Sequence, residues 1–230
     1  MFLTTTNQIK WKKMAWFGAI TGVLVMLGIA WFDKPLFVFI REFNCKLWEL
    51  FDVLFSAKMW LIVSFLVAVM LCVKKYLKSD ISFQDDKNNF NLIYGIRDTF
   101  VKTKSSNAFL IFYSVLSAGI VVKILKTFIG RARPIFFEAL DMTGFFPPSL
   151  DWAFNSMPSG HTIISFAGLV MIGMLAPKYK WFTWTLAIMV GFSRVAIGAH
   201  WPSDVILGAF LGMVIADIIK WYMLNKSEQK

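Results

Sequence analysis

An all-α integral membrane protein, a bundle of six transmembrane helices with an extra amphipathic helix at the interface, is the fold class this sequence predicts. Three observations carry that expectation. Of the 230 residues, 57% are hydrophobic and 17% aromatic, and the mean hydropathy is +0.61, well beyond the balance of soluble domains. Six stretches approach the length of about 20 mostly apolar residues that crosses roughly 30 Å of hydrocarbon. The lysines and arginines behind the net charge of +10 flank those stretches instead of forming one basic stripe, which fits bilayer orientation and argues against a nucleic-acid partner.

The first span, about 14–32, follows Lys10, Lys12 and Lys13; it is long for a signal peptide and no A-x-A site follows, so it reads as an uncleaved anchor. The second, about 57–73, is free of internal charge once Lys58 snorkels at its start, and the third, about 105–125, is apolar almost to its end. The fourth (161–177), fifth (181–199) and sixth (203–224) are shorter or hold a charge, Arg194 in the fifth and Asp217 in the sixth. Asp217 and Lys220, one turn apart, read as a structural pair. Residues 35–55 have apolar positions at 36, 40, 43, 47, 50 and 54 and charges at 41, 42, 46, 49 and 52, the pattern of an amphipathic helix. Asp33 as N-cap and Pro35 in the first turn would start it, lying in the interface plane or packed on the spans. Lys74 to Lys104 reads as a solvated polar loop, and Cys45 and Cys72, without ligand spacing, as two packed thiols. No repeat or second domain is visible, so residues 1–230 form one membrane domain.

Six spans put both termini on one side. Fifteen of the 24 lysines and arginines fall on that side and nine on the other, which makes the side of the termini cytoplasmic. Most of the outer exceptions cluster at the ends of spans three and five.

That cluster is where chemistry is expected. "KTFIGRARP" (126–134), "PSGH" (158–161) and "SRVAIGAHWPSD" (193–204) abut the outer ends of the last four spans and bring Lys126, Arg133, Arg194, Ser159, His161, His200 and Asp204 to one membrane face. Each has a bland reading alone, as an interfacial anchor or a satisfied polar group. Jointly, both histidines of the chain and an arginine inside a span fall at the same depth, and ionisable groups there are costly and usually functional. Lys126, Arg133 and Arg194, with the backbone N–H groups of Ser159 and Gly160 at a helix start, suit an anion with several oxygens, and phosphate fits. Asp204, four residues after His200, can accept the His200 Nδ1–H and so orient the ring, leaving Nε2 as nucleophile. His161 is then the general acid and base, first protonating the departing alcohol and later activating water.

The pattern K-x6-RP, PSGH and SR-x5-H-x3-D resembles the three-part signature of the type 2 phosphatidic acid phosphatase superfamily, which includes lipid phosphate phosphatases and soluble vanadium haloperoxidases. Every signature position matches: Lys126, Arg133 and Pro134; Pro158, Ser159, Gly160 and His161; Ser193, Arg194, His200 and Asp204. The resemblance implies a six-helix membrane bundle, a phosphomonoesterase or pyrophosphatase reaction without metal or other cofactor, the roles just given to both histidines, and inhibition by vanadate. The chain is far shorter than a haloperoxidase and is not soluble in character.

Two rivals are weaker. His161, His200 and Asp204 could be a two-His, one-carboxylate metal set, but three fixed cations around a divalent ion would be costly, whereas they balance a phosphate. A transporter would carry its charges near the midplane, not at one end. Hydrolysis and phosphoryl transfer to a second lipid stay open. The charge count gives cytoplasmic termini and an outward site, and with them the resemblance points to the bacterial inner membrane, lipid phosphate as substrate and no obligate protein partner. Lipid A 1-phosphate and undecaprenyl pyrophosphate stand ahead of other lipids. The loop 135–157, aromatic and mildly acidic, would line a headgroup pocket or rest on the membrane surface.

Overall fold

The computed structural model describes residues 1–4, 6, 8–80 and 106–228. Most of the loop expected at 74–104, with the first residue of the third expected span (Ser105), lies outside the described residues. The described chain is helical. α1 (Trp11–Leu27) passes through a π turn at Gly28–Phe32 into α2 (Asp33–Arg41), followed by α3 (Lys46–Leu54), α4 (Ala57–Asp80), α5 (Asn107–Ile129), α6 (Pro134–Leu140), α7 (Gly160–Leu175), α8 (Lys180–Ala196) and α9 (Pro202–Glu228). Among the described residues, four helices are long and apolar enough to cross a membrane: Trp11–Arg41, Ala57–Lys74, Asn107–Ile129 and Pro202–Asn225. α7 and α8, at 16 and 17 residues, are shorter.

α7 is the hub. It packs against α5, α8 and α9, and nearly every side chain from Thr162 to Met171 is buried, as expected of a helix that is apolar on all faces. Ile163, Ile164 and Ala167 meet Val115, Ala118 and Val122 of α5, while Phe166, Leu169, Val170 and Met171 meet Ala187 of α8 and Ala216 of α9. A Cβ at Gly212 would lie 2.5 Å from the Ile163 carbonyl oxygen, so the α7–α9 crossing requires a residue without a side chain there. α1 leans on α9 and α4 on α5, and both keep apolar faces outward, with Trp16, Met26, Leu66 and Met70 exposed.

Several sequence expectations change. Residues 35–55 form two helices, α2 and α3, separated by a turn at 42–45. Asp33 does not cap a free helix start: the π turn carries the first helix through it, and the wide turn just before Pro35 accommodates the missing proline N–H. Asp217 does not pair with Lys220. Its carboxylate accepts from the Met1 amine at 3.0 Å and the Phe2 N–H at 2.8 Å, while Lys220 Nζ donates to the Met174 carbonyl at 3.4 Å. Cys45 is exposed, and Cys72 packs with Ala68 and Phe109.

Candidate active site

Four chain segments meet at the end of the bundle away from Met1. α5 delivers Lys126 in its last turn and stops at Gly130, whose φ of 61° is the left-handed conformation that ends helices; a Cβ there would also meet the Phe146 carbonyl oxygen at 2.5 Å. The chain then runs through Arg131 and Arg133 to Pro134, the first residue of α6. Ser159 caps α7 and puts His161 in its first turn. α8 brings Arg194 in its last turn, and the Arg194 carbonyl accepts the N–H groups of Ala199 and His200, both at 3.1 Å, which folds the loop back over the helix end. Trp201 anchors that loop from below: it is buried, donates Nε1–H to the Ala132 carbonyl at 2.9 Å and packs on Phe37.

Asp204 organises the start of α9. Its Oδ2 accepts the Trp201 N–H at 3.0 Å, a reciprocal cap on an orphan donor, and the Ser156 hydroxyl at 2.5 Å. The Asp204–His200 approach is longer than the spacing predicts: Oδ2 lies 3.6 Å from His200 Nδ1. Ser156 Oγ bridges the two, 3.5 Å from Nδ1 while donating to the carboxylate. Asp204 Oδ1 belongs to Arg131, which donates to it at 2.6 Å and, through its other terminal nitrogen, to Asp33 at 2.6 Å. Ser203 completes this buried network, its N–H and hydroxyl both on the Asp33 carboxylate at 2.9 and 2.5 Å. Burial opposes the Arg131 charge, but Asp204 and Asp33 outweigh it and hold its pKa above the usual arginine range.

The three cations of the sequence motifs converge around His200. Lys126 Nζ donates to the Asn155 carbonyl and, at 3.5 Å, to that of Ser156. Arg133 donates to the Trp152 carbonyl at 3.0 Å and the Ala199 carbonyl at 3.1 Å, and its guanidinium lies 4.3 Å from the centre of the Trp152 ring. Burial and the neighbouring Arg194 charge lower the Arg133 pKa to about 10, so it stays charged at neutral pH. Arg194 is 5% exposed; Nη1 donates to Asp52 of α3, and Nε, also buried, has no hydrogen-bond partner among the described residues. A buried donor without an acceptor costs about 1–3 kcal/mol, which an anionic oxygen would recover. His200 itself is 2% exposed, and burial together with the charges of Lys126, Arg133 and Arg194 holds its pKa well below the ordinary histidine range. It is a free base at neutral pH, with its lone pair available for attack.

Not every predicted group stands ready for an anion. The Ser159 N–H is taken by the Asp204 carbonyl at 3.1 Å, and the Ser159 hydroxyl oxygen accepts the Thr162 hydroxyl at 2.9 Å, which leaves the Gly160 N–H and the Ser159 hydroxyl proton as donors at that helix start. The loop 135–157 both walls the site, through the carbonyls of Trp152, Asn155 and Ser156, and exposes Leu140, Phe145, Phe146 and Leu150. Sequence reasoning missed Arg131 and Ser156, which donate to Asp204, Asp33, which shares Arg131 with it, and Asp52. Asp52 Oδ1 lies 3.1 Å from His161 Nε2 and accepts from Arg194 as well. The hydrogen bond from His161, partly opposed by burial and aided by the Arg194 charge, lowers the Asp52 pKa to about 2. The one available signal was that buried cations demand counter-charges; which of the outer carboxylates supply them depends on contacts between residues 98 and 142 positions apart.

Residues 107–228 match the family model described as the PAP2 superfamily. Over 102 residues the chain is 41% identical to the lipid A 1-phosphatase of Rhizobium johnstonii, an alignment covering 44% of this chain and 42% of that protein. Over 62 residues it is 44% identical to the undecaprenyl-diphosphatase of Sulfolobus acidocaldarius, covering 26% of this chain and 30% of the relative. The chain thus spans less than half the length of these two curated relatives. The crystal structure of Aquifex aeolicus LpxE aligns with 81% of this chain and 93% of its own, at 18% identity and a TM-score of 0.46.

Proposed function

From the fact that the chain belongs to the PAP2 superfamily, its model matching residues 107–228, we propose that this protein is a metal-independent lipid phosphate phosphatase that works through a phosphohistidine. The observation that carries the reading is a buried His200, held unprotonated by its surroundings, among the buried Arg133 and Arg194 and the half-buried Lys126, with the Arg194 Nε–H unpartnered among the described residues. In the first step His200 Nε2 forms a bond to phosphorus as the bond to the lipid oxygen breaks, and His161 gives that oxygen its proton. Water then attacks the phosphohistidine, loses a proton to His161, and the P–N electron pair returns to His200. Lys126, Arg133 and Arg194, with the Gly160 N–H and the Ser159 hydroxyl, hold the phosphoryl oxygens as charge builds on them. Asp204 orients His200 with Ser156 between them.

The substrate class is a phosphomonoester or pyrophosphate on a lipid, with lipid A 1-phosphate and undecaprenyl pyrophosphate in front, supported by the names of the two relatives. In the proposed membrane arrangement α1 with α2, α4, α5, α7, α8 and α9 are six spans of a bacterial inner membrane protein and α3 lies at the outer interface. Both termini are then cytoplasmic and the site faces outward. The outward apolar faces of α1 and α4 support contact with lipid. The test is phosphate release by detergent-purified protein from lipid A, undecaprenyl pyrophosphate and dioctanoyl phosphatidic acid, each with and without EDTA. Wild type is expected to turn over at least one of them and His200→Ala none; activity that chelation abolishes, or that His200→Ala retains, refutes the mechanism.

A further inference from the structure

Both histidines of the site sit beside a carboxylate, and only the partner of His200 belongs to the motifs that mark the site. The other carboxylate is Asp52 of α3. Its Oδ1 lies 3.1 Å from His161 Nε2, closer than Asp204 lies to His200, and the same oxygen accepts from Arg194. The position is fixed by packing. α3 docks on α8 through Trp48, whose ring centre lies 5.2 Å from that of Phe192, two residues before Arg194, and the Trp48 indole N–H donates to the Phe43 carbonyl at 3.0 Å. The Asp52 side chain is 39% exposed while its Oδ1 faces both His161 and Arg194.

Resting on the phosphatase reading, we propose that Asp52 is a positioning residue of the reaction: by accepting the Nε2–H of His161 it fixes the ring so that Nδ1 is the nitrogen that gives and takes the proton. In the first step the imidazolium releases its Nδ1 proton to the lipid oxygen as the P–O bond breaks and the bond from phosphorus to His200 Nε2 forms. Throughout, Nε2 keeps its own proton, hydrogen-bonded to Asp52 Oδ1. In the second step the neutral ring, held in the Nε2–H tautomer, takes the water proton at Nδ1 as the P–N bond breaks. The arrangement repeats the carboxylate–imidazole logic of a hydrolytic triad, with the carboxylate orienting the base and stabilising its cationic form. Asp52 is suited to the task because it stays ionised at any working pH, its pKa being about 2. It also has charge to answer. The charges acting on His161 are Arg194 from α8 and Asp52 from α3, His200 from the loop before α9 feels His161 in turn, and Lys126 at the end of α5 lies beside Gly160; Asp52 is the carboxylate among these that steadies the imidazolium.

The experiment compares wild type, Asp52→Asn, Asp52→Glu and His200→Ala in phosphate release from undecaprenyl pyrophosphate, lipid A and dioctanoyl phosphatidic acid across pH. General acid–base catalysis is worth roughly 10²–10⁴-fold, and loss of the orienting carboxylate is expected to lower kcat by at least about tenfold with KM changed less than about threefold. The alkaline limb of the Asp52→Asn kcat profile moves to lower pH, because the imidazolium loses the carboxylate that stabilises it. Asp52→Glu, which keeps the charge, restores part of kcat and the position of the limb. An Asp52→Asn protein with wild-type kcat and pH profile, or with a lowered KM and unchanged kcat, overturns the assignment; the second result would make Asp52 an anion that merely competes with phosphate. Release by His200→Ala, or none by wild type from all three lipids, brings down the phosphatase reading and this proposal with it, whereas an inactive His200→Ala beside an unaffected Asp52→Asn removes Asp52 alone.

Discussion

Arg131 donates to two carboxylates that would otherwise repel each other in a buried cluster, Asp33 from α2 and Asp204 from α9. Removing one partner of a buried ionic group is far costlier than removing an exposed pair, about 3–5 kcal/mol, because the remaining charges have no solvent to fall back on. Arg131→Met is therefore expected to lower the thermal midpoint in detergent markedly and to abolish turnover, and Arg131→Met combined with Asp33→Asn to recover part of the midpoint, since one carboxylate remains instead of two. Differential scanning fluorimetry of the three proteins checks this, and a double variant no more stable than the single would refute the network. His161, Arg194 and His200 were legible in the sequence because a titratable group in an apolar run is conspicuous wherever the chain goes. Asp33, Asp52 and Arg131 were not, because they sit in stretches where charge is ordinary and acquire meaning only from partners distant in the chain.

At the scale of elements, the active-site end depends on helix starts and stops being held in register. His161 sits in the first turn of α7 and Asp204 in the first turn of α9, so the closeness of the α7–α9 crossing sets the relation between the proposed acid and the carboxylate proposed to orient the nucleophile. Gly212→Val pushes a side chain into the Ile163 carbonyl and the Phe166 Cβ, 2.5 and 2.6 Å from the first added carbon, where backbone cannot give way. Overpacking of this kind costs about 1–3 kcal/mol, and the expected result is a lower thermal midpoint together with a lower kcat. Gly22→Val, where nothing lies within 4 Å of an added Cβ, should leave both near wild type. Apolar run length announced these helices. It could not announce that α1 continues into α2, because Asp33 and Pro35 are ordinary helix-start residues, and only the π turn at Gly28–Phe32 lets the helix absorb them. The same turn carries Asp33 to the start of α9, where it caps Ser203.

The whole molecule is polarised. One end gathers the buried ionic site and α3; the other holds the Met1 amine on Asp217, with Met174 beside it, and apolar side chains face outward between them. Composition alone gave the membrane class, and the charge asymmetry gave an orientation, because both depend on sums over the chain and not on pairings. That orientation is testable through a thiol already present. Cys45 is exposed at the N-cap of α3, at the site end, whereas the carboxyl end of α9 lies at the other. With Cys72 replaced by Ser, a membrane-impermeant maleimide added to intact cells is expected to label Cys45, and a cysteine introduced by Ser227→Cys in a Cys45→Ser background only after permeabilisation. The reverse pattern would put the site in the cytoplasm, so that its substrate would have to be a lipid phosphate of the inner leaflet, and would require the lysine-rich side to face outward against the bias that normally orients spans. Labelling of both thiols in intact cells would mean an even number of crossings between residues 45 and 227 in place of the five proposed, and since α7 at 16 residues is about 24 Å long and falls short of a full bilayer, α7 would be the first helix to re-examine as a true span.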